Sequence, residues 1–183
     1  MSTLVDFQIR NLARTKGLVE PFDPEQVNPA SYDVTLGTKI LVEPEPRIHY
    51  SHEDGVSFSI PVSRWEEVDI SETAPYILRP GEFVLAHTAE VVRVPNNLEC
   101  VFNLKSSRGR EGFDHLMAAY IDPGFTGRVT LELVNVNRYN DLKLSPGMRI
   151  GQLRFSRLDA TPMRSYAVTG RYFGDSTVQP SKG

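Results

Sequence analysis

LKSSRGREGFDHLMAAYIDPGFTGRVTLEL, residues 104–133, holds a serine- and cation-rich turn, an Asp-Pro-Gly reversal and a segment carrying one carboxylate. Its last part decides the fold. Val129, Leu131 and Leu133 alternate with Thr130, Glu132 and Val134, the period of two that sends successive side chains to opposite faces of a strand. The same rhythm recurs outward. It is present in LECVFNLKSS (98–107), in Phe83 and Leu85 followed after a break by Val91, Val92 and Val94, and in LSPGMRIGQLRFSRL (144–158). Arg79-Pro80-Gly81, Pro95-Asn96-Asn97 and Pro146-Gly147 supply turns between these runs. Short strands at this spacing, with almost no helical pattern, predict a barrel or sandwich rather than a parallel α/β sheet.

Towards the N-terminus, Phe7, Ile9, Leu12 and Ala13 recur with helical spacing and Gly17 is a stop signal, so one short helix is expected there. SYDVTLGTKILV follows, with Tyr32, Val34 and Leu36 alternating with Asp33 and Thr35, and reads as a strand entering a sheet. Residues 43–66, with three prolines and scattered charge, read as a surface excursion whose His49 and His52 are solvated loop residues. From Met163 the chain turns poor in apolar residues and includes Gly170, Gly174 and Pro180. Such a tail is either disordered or ordered over a ligand.

The bulk numbers set the class. A chain of 183 residues, 40% hydrophobic and 23% charged, is one domain (1–183, with 163–183 as its tail) able to bury a core without covalent staples. Its net charge of -3 is too small for a nucleic-acid or membrane surface, so any polyanion site is local. Cys100 is the single cysteine, which excludes an intrachain disulfide framework and a multi-cysteine zinc site and suits a reducing, cytoplasmic setting. His49, His52, His87 and His115 show no metal-binding spacing, so no metal held by protein side chains is expected.

Three groups of residues carry chemical potential. Lys105, Ser106, Ser107, Arg108, Gly109 and Arg110 combine hydroxyls, free backbone N–H groups and cations, as a phosphate site needs; a helix opening there would take Ser106 or Ser107 as its N-cap. The competing reading is a capped surface helix with solvated charges. In Tyr120-Ile121-Asp122-Pro123-Gly124-Phe125, Asp122 either accepts from a sugar hydroxyl beneath a covering Phe125 or satisfies its own turn. Glu132 is either a solvent-facing strand residue or, with Thr130 and Val134 making its face semi-apolar, a carboxyl whose pKa is raised into the range of a general base.

Six segments in order carry a resemblance: PF…VNPASYDVTLG, RPGEFVLAHTAEVV, KSSRGREG, IDPGFTGRVTLEL, PGMRIGQL and a tyrosine-containing glycine tail. By these the chain resembles the dCTP deaminase branch of the dUTPase superfamily. The resemblance implies a mainly β fold, a distorted β-barrel or jelly roll of dUTPase-like type with a short N-terminal helix and few others. It also implies a homotrimer with active sites at subunit interfaces and a nucleotide substrate, with no nucleic-acid or membrane partner. Residue by residue, Lys105 to Arg110 match the loop that contacts the triphosphate, and Asp122 the residue holding the deoxyribose 3'-hydroxyl. Thr130, Leu131 and Glu132 match the segment bordering the base, with Glu132 the catalytic carboxylate. Gln152 and Tyr166 match further nucleotide contacts, and Arg171 lies in a tail that closes over the phosphates.

In that reading Glu132 activates water against C4 of cytosine while Ser106 and Arg110 hold the water and the developing charge. Mg²⁺ arrives on the nucleotide and zinc takes no part. The leading expectation is deamination of dCTP to dUTP and ammonia. The alternatives are a bifunctional enzyme giving dUMP and pyrophosphate, a dUTPase alone, and a nucleotide-binding regulator without turnover. Four positions depart from the family pattern. Lys105 stands where arginine is frequent, Arg108 where an apolar residue is commoner, Ala119-Tyr120 alters the base-proximal pair, and Asp175 places a carboxylate in the tail.

Overall fold

The computed structural model describes residues 2–44, 47–51, 55–59, 64–116 and 119–182. Two six-stranded antiparallel sheets face each other. The first runs Tyr120–Ile121, Leu98–Leu104, Arg149–Arg157, Ser31–Thr35, Val27–Asn28, with Ser2–Thr3 also pairing on Arg149–Arg157. In the second the order is Phe113–His115, Thr126–Asn135, Phe83–Arg93, Lys39–Val42, Glu66–Asp69, with Val19–Glu20 on Phe83–Arg93. The outcome is a jelly-roll-like sandwich, which resolves the barrel-or-sandwich alternative towards the open form.

Alternation explains the layering. Along Thr126–Asn135 every second residue is buried, with Leu131 and Leu133 fully enclosed and Val129 nearly so. They meet Tyr32, Phe102, Phe155 and Leu153 from the other sheet in one continuous core. Burial of side chains this size contributes on the order of 2 kcal/mol each, which fixes the register, since a one-residue slip would turn the whole set to solvent.

Several local expectations are met and others corrected. The helix spans Asp6–Lys16 and ends at Gly17, whose φ of 62° lets its N–H reach the Ala13 carbonyl. Ile9 and Ala13 face inward, whereas Phe7 is largely exposed. The Arg79-Pro80-Gly81 turn does not join a hairpin. Tyr76–Leu78 before it pairs with Leu142–Leu144, while Phe83–Arg93 after it pairs with Thr126–Asn135. Part of the 43–66 excursion is regular backbone: Arg47–Ser51 pairs with Gly55–Ser59, and Glu66–Asp69 adds to Lys39–Val42. His52 and the side chain of His49 lie outside the described residues.

The break after Leu85 is a bulge between His87 and Val91. Thr88 Oγ1 donates to the Glu90 carbonyl at 2.8 Å, and the Arg128 guanidinium donates to the carbonyls of Thr88, at 3.1 Å, and of Ala89. The extra residues turn the Glu90 side chain inward, where its carboxylate accepts from Thr35 N at 3.0 Å and Thr35 Oγ1 at 2.9 Å. One buried carboxylate thus ties one sheet to the other.

Candidate functional site

On the outer face of the second sheet, Thr130, Glu132 and Val134 stand opposite His87, Leu85 and Phe83 respectively. Leu85 gathers Leu41 and the tail residue Val178 into a small apolar cluster bordered by Trp65 and Phe83. Glu132 is therefore a half-buried carboxylate beside hydrocarbon. Burial pushes its carboxyl up from the ordinary glutamate value. Among the described residues none donates a hydrogen bond to that carboxylate or pairs with it, although its backbone carbonyl accepts from Leu116 N at 3.1 Å. The semi-apolar face expected from Thr130 and Val134 is present.

Residues 105–111 form a capped helical turn with most of its charge already committed. Ser106–Glu111 is helical, and Lys105 rather than either serine is the N-cap, so no side chain caps the helix. Lys105 Nζ pairs with Asp33, a buried carboxylate that also accepts from Asn28 Nδ2 at 2.7 Å and lies 3.7 Å from Arg149. Arg108 donates to the Arg149 carbonyl at 3.1 Å and pairs with Glu111 at 2.5 Å. Ser106, Ser107, Gly109 and Arg110 are exposed, and Arg110 makes no ion pair among the described residues.

A separate cleft of about 570 Å³ is lined by Tyr120, Asp122, Arg164, Tyr166, Arg171 and Tyr172 among others. Three residues singled out in the sequence, Asp122, Tyr166 and Arg171, meet there. The tail builds its wall. Ser165 Oγ bonds Asn96 Oδ1 at 2.7 Å, Tyr166 N donates to the Pro123 carbonyl at 3.0 Å, and the Tyr166 ring rests 5.7 Å from that of Phe125. Phe125 is buried beneath this wall, so it supports Tyr166 instead of covering a ligand. The Leu131 side chain is likewise enclosed in the core, which leaves only its backbone for any ligand contact. Gln152 accepts from Ser31 Oγ at 2.8 Å.

The tail then runs along the second sheet. Gly174 N donates to the Thr126 carbonyl at 2.6 Å, Arg128 N donates to the Asp175 carbonyl at 2.8 Å, and Val178 is 2% exposed against Leu41 and Leu85. Asp175 binds Lys182 Nζ at 2.8 Å, and that ammonium also lies 5.0 Å from the centre of the Tyr172 ring. The carboxylate in the tail has an internal partner. Within the chain, no hydrogen bond or ion pair among the described residues joins Glu132 to Ser106, Arg110, Asp122 or Arg171.

Sequence reasoning passed over Asp33, His87, Glu90 and Val178. Asp33 was placed on the polar side of an alternating strand, yet Ser31 to Val34 are all buried because neighbours cover both faces. A polar residue between apolar ones in a central strand was the available signal. No local pattern marks Val178.

A family model described as dCTP deaminase-like matches residues 3–158. The chain belongs to the dCTP deaminase-like family. Relatives within it include a protein of Acidothermus cellulolyticus, 42% identical over 98% of this chain and 94% of its own length. Another, from Thermobifida fusca, is 42% identical over 90% of this chain and 83% of its own. Both are named dCTP deaminase, dUMP-forming. Among solved structures, the 2'-deoxycytidine 5'-triphosphate deaminase of Agrobacterium tumefaciens superposes with a TM-score of 0.64 at 25% identity, over 84% of this chain. This chain spans about half, 48%, of that protein's solved length.

These relatives overturn the leading expectation of dUTP as the product, because their names specify dUMP. The physical reason for the miss is that deamination and phosphate cleavage act at opposite ends of one nucleotide. A strand carboxylate and a cationic loop satisfy both readings, and only IDPGF (121–125) and GQL (151–153) lean by resemblance towards the second cut.

Proposed function

We propose that the protein converts dCTP and two waters to dUMP, ammonia and pyrophosphate. The observation that carries this reading is Glu132, a half-buried carboxylate on the outer sheet face with no partner among the described residues. It is supported by the dUMP-forming names of relatives matched along nearly the whole chain. A carboxyl raised by burial holds a proton more readily than one in water. It can take a proton from water as hydroxide adds to C4 of cytosine, then deliver protons to N3 and to the departing amine.

Cleavage between the α and β phosphates requires cations around the leaving pyrophosphate. Arg171 in the tail and the cations of the 105–110 loop would supply them, with Ser107 donating to phosphate oxygens, while Ser106 and Arg110, which makes no ion pair among the described residues, would hold the attacking water and the developing charge at the base. Lys105 is held by buried Asp33, so its role is to fix the start of the loop while contributing charge at short range. Asp122 would accept from the sugar 3'-hydroxyl across the cleft it shares with Tyr166. Mg²⁺ would travel on the phosphates. Among the described residues no three His, Cys, Asp or Glu side chains cluster as a protein-built site would require.

Because Glu132 and the serine loop make no bond among the described residues, the reading includes a homotrimer in which a neighbouring copy brings the loop to Glu132. No helix among the described residues is long and apolar enough to cross a membrane. A cytoplasmic location is proposed with it, on the free, buried thiol of Cys100.

The test is incubation with dCTP and Mg²⁺, resolving nucleotides, pyrophosphate and ammonia over time. Equal amounts of dUMP, pyrophosphate and ammonia are expected. Accumulation of dUTP, or binding without product, would overturn the proposal.

A further inference from the structure

The Glu132 face holds a second polar group that the reaction described above does not use. His87 lies directly across from Thr130 and two register positions along from Leu85–Glu132, on the same side of the sheet. It is 4% exposed. Diagonal neighbours on one face of an antiparallel pair stand about 7–8 Å apart at the backbone, within reach of two long side chains that share a small ligand.

The ring's chemistry is fixed by its neighbours. Nδ1 lies 2.8 Å from the Thr88 carbonyl, which can only accept, so Nδ1 carries the proton and donates. Nε2 is then a bare lone pair, buried and without a hydrogen-bond partner among the described residues. The ring lies over Gly37, whose missing side chain makes room for it: a Cβ there would come 2.1 Å from the ring. Burial first, then the Arg128 and Lys39 cations, hold the imidazole below its ordinary pKa and keep it neutral, and Glu132 is the carboxyl on the same face. Lys39 is itself engaged by Glu67 and by Asp69 at 3.3 Å.

His115 shows that burial alone is not the signal. Its Nε2 is also unpartnered, but it stands opposite Leu133 on the core side, 4.6 Å from the Phe102 ring. It has no access to the Glu132 face.

We propose that His87 is a positioning residue for the reaction at Glu132, with its Nε2 lone pair and the Glu132 carboxylate each accepting one proton of the same water. A water has two protons to donate, and two acceptors fix its orientation, aiming its oxygen lone pair at the electrophilic carbon. Glu132 removes the proton it accepts. His87 keeps the other in place and undergoes no net protonation. This inference rests on the deaminase reading of Glu132.

Two substitutions and one spectroscopic measurement test it. His87→Phe keeps a ring in the slot, and the Thr88 carbonyl it abandons still accepts from Arg128 at 3.1 Å. Its kcat on dCTP should fall on the order of 10²-fold with KM within about twofold of wild type and no loss of thermal stability. His87→Gln, which offers an acceptor near the Nε2 position, should recover most of the lost kcat. Wild-type kcat in His87→Phe, or an equal defect in both variants, overturns the proposal. If the wild-type protein consumes no dCTP, the deaminase reading fails first, and nitrogen NMR of labelled histidine still decides the role of His87. In the Glu132→Gln protein, His87 Nε2 should resonate as an unprotonated nitrogen near neutral pH and move upfield when dCTP is added. A protonated Nε2, or one that does not respond to the nucleotide, overturns it.

Discussion

Two glutamates on adjacent strands of one sheet, Glu90 buried and Glu132 half-buried, are shifted the same way and end differently. Glu90 and Glu132 both have carboxyls pushed above the ordinary glutamate value, with burial as the largest cause. Glu90 points into the inter-sheet core and is satisfied by the backbone N–H and hydroxyl of Thr35. Glu132 points outward beside Leu85 and has no donor among the described residues. A raised carboxyl therefore does not by itself separate a carboxylate committed to the fold from one left free to meet a ligand. The state of its hydrogen-bonding capacity does, because a satisfied group has nothing left to offer a substrate.

The sharpest way to break this comparison is to neutralise each carboxylate. Glu132→Gln should lower kcat on dCTP on the order of 10³-fold while leaving the melting temperature near wild type, read by steady-state assay and calorimetry. Retention of near-wild-type turnover would remove Glu132 as the base. Glu90→Ala should behave oppositely. Stripping the acceptor from Thr35 N and opening a void between the sheets should cost about 3 kcal/mol of stability in urea titration.

The pH dependence follows from the sign of the shifts. A carboxyl whose folded pKa is raised binds its proton more tightly folded than unfolded, so its contribution to stability is full below the unfolded value near 4.5 and is lost as pH rises through the folded one. Glu90→Gln, which keeps an acceptor for Thr35 but cannot ionise, should flatten that part of the stability profile. A wild-type slope unchanged in Glu90→Gln would disprove the assignment. For activity, the acid limb of kcat should fall above the ordinary glutamate range, since Glu132 must be ionised to accept a proton.

Smaller effects sharpen the role of the tail. Val178→Ser should loosen the apolar cluster on Leu41 and Leu85 by about 1–2 kcal/mol, detected as faster hydrogen exchange at the Gly174 and Arg128 amides. Lys182→Ala should change stability by less than about 0.5 kcal/mol, because a partly exposed ion pair contributes little. A larger loss would mean that the Asp175–Lys182 pair anchors the tail more than Val178 does.

How far the site could be read depended on whether its determinants are local. The alternation of Val129, Leu131 and Leu133 is a property of adjacent residues, so the strand, its buried face and the outward placement of Glu132 were legible from the sequence. The charges of residues 105–110 were legible as types but not as partners. Whether Lys105 and Arg108 are free depends on Asp33 and on the Arg149 carbonyl, which approach from strands far off in the chain. The serine N-cap was misplaced by one or two residues because capping depends on backbone angles at Lys105 that neighbouring strand pairing sets. Asp122, Tyr166 and Arg171 were named without any way of knowing that they share one cleft.

By itself, then, the sequence determined a mainly β architecture of short strands, the terminal helix with its Gly17 stop, the family, and the identity of the one strand carboxylate worth testing. These follow from periodicity, turn chemistry and ordered motifs, which act over a few residues at a time. Only the tertiary structure decided that Glu90 is satisfied while Glu132 is not, that Val178 returns to cover the strand beside Glu132, and that His87 keeps an unused lone pair on that face. Desolvation and hydrogen-bond satisfaction are sums over everything that surrounds a group, and those surroundings exist only once distant segments have packed together.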